Sequence, residues 1–246
     1  MDDVTSGPAV VVEDLTVGYN QMAVVHGLSI TADFGAVTVL LGANGAGKTT
    51  TLLAIAGHLR PMGGTITVMG QSVAKKACHQ VVKMGLSMVP EGRGLVYELT
   101  VAENLRLYRR RGSRSRADEV FDLFPALAQI HSRRAGLLSG GEQQMLALAC
   151  AISAGGRILL IDELSHGLAP VVVERLLPTV RALARERGLA VLLVEQQVDS
   201  ALQVADVVHV LSRGQVVLSG SAEEIGGRSA VLEASYLGST SSSPRR

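Results

Sequence analysis

The chain has 246 residues, 47% of them hydrophobic but only 3% aromatic, with no tryptophan, so its core must be assembled from Val, Leu, Ile and Ala. A formal net charge of +1 argues neither for nucleic acid nor for a strongly charged substrate, and no apolar run approaches the ~18 residues that span a bilayer. The acidic start Met1-Asp2-Asp3 leads into no apolar stretch, so no secretory leader is expected and the chain reads as cytosolic, reaching a membrane only through partners.

In chain order, residues 10–17 alternate as an edge strand does, and 37–41 form a short apolar run stopped by Gly42, a buried strand. The pattern predicts a helix over 49–59, closed by Arg60-Pro61 and a glycine turn, then a strand over 65–68. From about 75 to 135 the texture is helical and charged, with few strand signals. Strands return over 157–162 and 189–194, separated by a helix near 171–187, and 207–211 with 214–218 resemble a hairpin. This is one α/β core interrupted by a helical insertion, ending in a serine-rich tail over 239–246 that is expected to be disordered. Cys78 and Cys150 are isolated and read as small apolar residues in a reducing compartment. The six histidines (His26, His58, His79, His131, His166, His209) show no ligand spacing, so no protein-ligated metal site is expected from them.

Three short segments carry chemistry. Gly42-Ala43-Asn44-Gly45-Ala46-Gly47-Lys48-Thr49 fits G-x-x-x-x-G-K-[ST], between a predicted strand and a predicted helix that continues through Thr50. Such a loop turns backbone N–H groups onto phosphate oxygens, with Lys48 reaching the β- and γ-phosphates and the Thr49 hydroxyl on Mg²⁺. The strand ending in Asp162-Glu163 delivers two carboxylates to the carboxyl edge of the sheet, one placed for Mg²⁺ and the other for polarising water as general base. Leu138-Ser139-Gly140-Gly141-Glu142 opens a helix and offers a hydroxyl, free N–H groups and a helix dipole to an anion, besides capping that helix.

In this order and context the three segments resemble the ATP-binding cassette superfamily across nearly the whole chain. The resemblance implies an α/β P-loop NTPase fold: a RecA-like parallel-sheet core, an N-terminal antiparallel β part and an inserted helical subdomain at about 75–140. The cassette domain would span 9–238, with 1–8 and 239–246 as flexible termini. It implies ATP and Mg²⁺ as ligands, with Thr49, Asp162 and Glu91 on the metal, and Glu163, Gln196 and Glu91 as catalytic groups. Tyr19 would stack on adenine. Cassettes of this kind pair head to tail, so residues 138–142 would touch ATP held by a second cassette subunit, homologous or identical. Transmembrane permease subunits and, indirectly, a periplasmic or extracellular solute-binding protein would be further partners. Nucleic acid would not be one, and the place of work would be the inner face of the cell membrane.

Departures from the general cassette pattern narrow the resemblance. Glu91 in Met88-Val89-Pro90-Glu91-Gly92-Arg93 stands where most cassettes have Gln, at the junction of a strand with the helical insertion; Gln196 stands for a switch His, and Ala169 for an Asp. With the ending Ser235-Tyr236-Leu237-Gly238 these resemble the ATPases of branched-chain amino acid importers, although Leu164 and His166 do not fit that pattern. His166 as a replacement for the switch His competes with a solvated loop His, the more ordinary reading. Arg106, Arg109, Arg110, Arg111, Arg114 and Arg116 suit a solvated helix end better than a lipid or nucleic-acid contact. The rival functions are a urea or short-amide importer, a non-transport cassette, and a cassette that binds ATP without hydrolysing it.

Overall fold

The protein is described by a computed structural model covering residues 7–109 and 117–227. Two sheets share the chain. Strands β1 (Val10–Tyr19) and β2 (Met22–Ala32) form a hairpin, and both residues of its turn, Asn20 and Gln21, have positive φ (49° and 65°), the geometry that matches strand twist in a two-residue loop. With β4 (Gly63–Val68) and β5 (Gln71–Ser72) the hairpin makes an antiparallel sheet in the order β2-β1-β4-β5, where β3 (Val37–Leu41) belongs to the other sheet. The edge position expected for β1 is therefore corrected: it is paired on both sides, because alternation reports which face is buried and says nothing about the hydrogen-bonding edges.

The second sheet runs β10-β9-β3-β8-β7-β6, from β6 (Leu86–Val89), β7 (Ile158–Asp162), β8 (Ala190–Glu195), β9 (Val207–Ser212) and β10 (Gln215–Ser221). All pairs are parallel except the closing hairpin β9–β10. Every residue of β3, β7 and β8 is buried, as expected of parallel strands covered on both faces. Parity divides them between two cores. Val39, Leu41, Leu159, Ile161, Val191 and Leu193 face one cluster, which includes the long helices, while Leu40, Ile158, Leu160 and Leu192 face another, shared with the antiparallel sheet.

Helix α1 (Lys48–Ile55) stops short of the expected 59, since Gly57 takes a left-handed φ of 78° just beyond it. Helix α7 (Pro170–Arg187) starts one residue before its predicted position and ends on Gly188 in the left-handed region. Between them lie α2 (Cys78–Lys83), α3 (Val101–Tyr108), α4 (Ala117–Leu123), α5 (Pro125–Gln129) and α6 (Gly140–Ser153); α8 (Val198–Leu202) and α9 (Ala222–Gly226) follow α7. The stretch expected to be helical from about 75 also contains β6, which pairs with β7 at the sheet edge. Four residues, Leu86-Ser87-Met88-Val89, are too few to show a period, so the strand is hidden between the helical segments α2 and α3.

Arg106 and Arg109 lie at the end of α3; Arg110, Arg111, Arg114 and Arg116, like residues 1–6, Ser235-Tyr236-Leu237-Gly238 and the tail over 239–246, fall outside the described residues. Among the described residues no helix is long and apolar enough to cross a membrane.

Candidate functional site

The buried strand β3 runs straight into the glycine loop. A side chain at position 42 would place its Cβ 2.4 Å from the Leu211 carbonyl oxygen, so the chain passes under β9 only as glycine. Gly47, the residue before α1, has φ 106°, and a Cβ there would lie 2.9 Å from Val25. The β1–β2 hairpin thus packs on the loop and fixes its path. The Lys48 ammonium, only 4% exposed, donates to the carbonyls of Gly42 (2.9 Å) and Ala43 (3.2 Å) and lies 3.3 Å from Glu163 Oε1.

Strand β7 brings Asp162 beneath the start of α1, where the Thr49 hydroxyl donates to Asp162 Oδ1 at 3.1 Å. Burial pushes the Asp162 carboxyl up to about 6 against the Thr49 hydrogen bond; the nearby Glu163 and Glu91 charges add to the rise and Lys48 opposes it. A carboxyl group held this far from water and bonded by one hydroxyl ionises readily only with positive charge beside it.

Glu163 follows with φ 51°, a left-handed conformation rare for a residue with a side chain and typical of functional turns. Its N–H donates to the Val194 carbonyl (3.0 Å), and its carbonyl accepts from the His166 N–H (3.2 Å), so the chain reverses sharply at the sheet edge. The reversal brings His166 Nδ1 to 3.4 Å from Glu163 Oε2. Ligand atoms of Glu91, Glu163 and His166 all lie within 4.8 Å of one another.

A cleft is lined by Asn44, Gly45, Gly47, Lys48, Thr49 and Thr50 on one side and by Glu91, Glu163 and His166 on the other, with Val24 at its rim. Ala43 and Ala46 line a smaller depression on the other side of the loop, against Leu211 and Arg213. The structure therefore brings together Lys48, Thr49, Asp162, Glu163 and Glu91. Tyr19, 44% exposed at the end of β1, and the exposed Gln196 do not line the cleft. The Gln196 N–H is 3.3 Å from the carboxylate of fully buried Glu195, which also accepts from the Ser165 N–H (3.0 Å) and hydroxyl (2.6 Å). Burial raises the Glu195 carboxyl, against those hydrogen bonds.

Residues 138–142, expected to offer a second phosphate-binding surface, lie outside this cleft. Leu138 is buried, and Ser139 caps α6: its N–H and hydroxyl donate to Glu142 Oε2 (2.7 and 2.8 Å), and its oxygen accepts from the Glu142 N–H (3.3 Å). These bonds, the backbone one foremost, lower the Glu142 carboxyl, which leaves the N–H groups of Gly140 and Gly141 in the first turn of α6. Arg93, itself at φ 64°, joins this helix to the Glu91 turn, donating from Nε to Gln144 Oε1 (3.1 Å) and from Nη1 to Gln143 Oε1.

Sequence reasoning passed over three of these contacts. Nothing in the linear pattern tied Arg93 to α6 or Glu195 to Ser165. The His166–Glu163 contact was obscured by the reading of His166 as a solvated loop residue, although its spacing of three from Glu163 was a usable signal once a tight turn is assumed. Leu164, one of the two ill-fitting residues, is fully buried in the core cluster under α7.

The profile of the family described as ABC transporter matches residues 25–166. The high-affinity branched-chain amino acid transport ATP-binding protein BraG of Pseudomonas aeruginosa is 36% identical over 204 residues, 81% of this chain and 87% of that protein. The lipopolysaccharide export system ATP-binding protein LptB of Haemophilus influenzae is 30% identical over 220 residues, 87% of this chain and 90% of that one. A solved ATP-binding subunit of an ABC transporter superposes with a TM-score of 0.79 at 27% identity, covering 94% of this chain and 98% of its own. A loop, an acidic strand end and a capped glycine turn in this arrangement, on this fold and with these relatives, belong to the ABC transporter family, and the chain is one of its cassette ATPases.

Proposed function

We propose that this cassette hydrolyses ATP to drive uptake of branched-chain or other apolar amino acids. The single observation that carries the hydrolytic part is the Thr49–Asp162 contact of 3.1 Å in a cleft walled by Lys48 and Glu163. The loop N–H groups and Lys48 would hold the phosphates, Tyr19 would stack on adenine, and Thr49, Asp162 and Glu91 would hold Mg²⁺. The buried Asp162 carboxyl and its neighbouring hydroxyl fit such a cation, which would supply charge neutralisation at the phosphate oxygens. Glu163 takes the proton of the attacking water, and Glu91 and the neutral amide of Gln196 orient water and γ-phosphate. Residues 138–142 complete the equivalent site of a second cassette, so hydrolysis needs a pair. Permease subunits and a solute receptor lie beyond that pair, at the inner face of the membrane.

The BraG likeness supports the cargo class. The LptB likeness favours a second reading, the same ATPase cycle serving another cargo. Steady-state hydrolysis by the full chain should fall ~100-fold or more in Glu163→Gln, and nucleotide binding should be lost in Lys48→Ala. Vesicles carrying the chain with its genomically neighbouring permease and receptor should take up leucine on ATP addition. ATP-dependent uptake of urea without leucine, or no uptake of either, would replace the cargo assignment.

A further inference from the structure

We infer that His166 is a positioning residue for hydrolysis, holding one oxygen of Glu163 so that the other faces the cleft; the inference rests on the reading of Glu163 as general base. The carboxylate is bracketed on both sides: Oε1 lies 3.3 Å from Lys48 Nζ and Oε2 lies 3.4 Å from His166 Nδ1. The two contacts differ in fate. Lys48 is the loop lysine, and phosphates in the cleft draw its ammonium toward themselves, which releases Oε1. His166 sits three residues after Glu163 in the same tight turn, with its N–H on the Glu163 carbonyl at 3.2 Å, so it stays with Glu163 whatever occupies the loop.

The terminal torsion of a glutamate is broad and roughly two-fold. A half-turn only exchanges the two equivalent oxygens, but without a partner on Oε2 the carboxylate plane would swing through that breadth, and only part of the population would aim an oxygen squarely at water. Nδ1 faces Oε2 at 3.4 Å, longer than an ordinary hydrogen bond, so the contact is mainly electrostatic, and the tautomer with its proton on Nδ1 is the one that holds the carboxylate. Tight positioning matters because small displacements of a catalytic group cost large factors in rate. His166 contributes little to packing: its side chain is 61% exposed, against 11% for Glu163, so its removal tests the contact and not the fold. Gln196 lies outside the cleft lining, whereas His166 is part of it.

The test compares His166→Leu with His166→Asn in the full chain, since the Asn amide N–H can occupy the place of imidazole Nδ1–H. His166→Leu should lower kcat about fivefold or more, with KM for ATP and the melting temperature unchanged, and His166→Asn should recover most of the rate. An unchanged kcat in His166→Leu, or a kcat in His166→Asn as low as in His166→Leu, overturns the inference. A second measurement does not depend on turnover. The ¹⁵N spectrum of the His166 ring should show the proton on Nδ1 in the wild type and move toward the Nε2 form in Glu163→Ala; identical spectra would also overturn it. Glu163→Gln assayed in parallel separates the two readings. Turnover there near wild type removes the base assignment itself, whereas an inactive Glu163→Gln beside a fully active His166→Leu removes only the role of His166.

Discussion

Burial of the Asp162 carboxyl at the end of β7 separates its protonation in the folded chain from that in the unfolded one. Its value rises from 3.8 to about 6, so between those limits the folded protein holds the proton and the unfolded chain does not. Stability therefore falls as pH rises through that window, and the deficit is complete above it. Asp162→Asn keeps an oxygen for the Thr49 hydroxyl and removes the buried charge. Without nucleotide or divalent cation it should melt higher than wild type at about pH 8, with the difference shrinking toward about pH 4. A thermal melt series across pH measures this, and a gain independent of pH would mean that charge is not its source. At this scale the two motifs gave a good account of the cleft: Lys48, Thr49, Asp162 and Glu163 meet because loop and strand end share one edge of a parallel sheet. The contact of Glu163 with His166 depends on a left-handed φ at a glutamate, a dihedral that no residue type in the turn announces.

At the level of elements, the first turn of α6 is fastened to the loop that follows β6. Arg93 reaches two glutamines of α6, and Gln144 is only 3% exposed, so loss of the arginine leaves a buried amide without that partner. Arg93→Ala and Gln144→Ala should each destabilise the chain, and the double mutant should cost less than their sum by about 1 kcal/mol, read from urea unfolding. Additive effects would mean that the pair acts independently. Ser139-x-x-Glu142 was legible as a cap because the reciprocal bonds need only those two residue types at that spacing. Helix α7 was legible to within one residue from its apolar stripe and Gly188. Strand β6 was hidden, since among the described residues its strand partner is β7, far along the chain at Ile158–Asp162.

For the whole molecule, the cleft and the α6 turn are separate surfaces on one chain, each half of a site under the paired reading. Glu163→Gln, which keeps ATP uncleaved, should then migrate as a dimer with ATP and as a monomer without it in size-exclusion chromatography with light scattering. A monomer under both conditions would count against pairing. The strand order has another consequence, for the order in which the molecule can be made. β3 carries the glycine loop, yet both of its neighbours come late: Val37 pairs with Val191 and Thr38 with Val207. The sheet edge under the loop can close only when the last quarter of the chain has left the ribosome, and such long-range pairing is slow to form. A chain ending after residue 187 would contain every residue of the loop and should bind no ATP by calorimetry. Nucleotide can therefore act on folding only at its end, fastening a strand that has waited since early in synthesis for partners on either side.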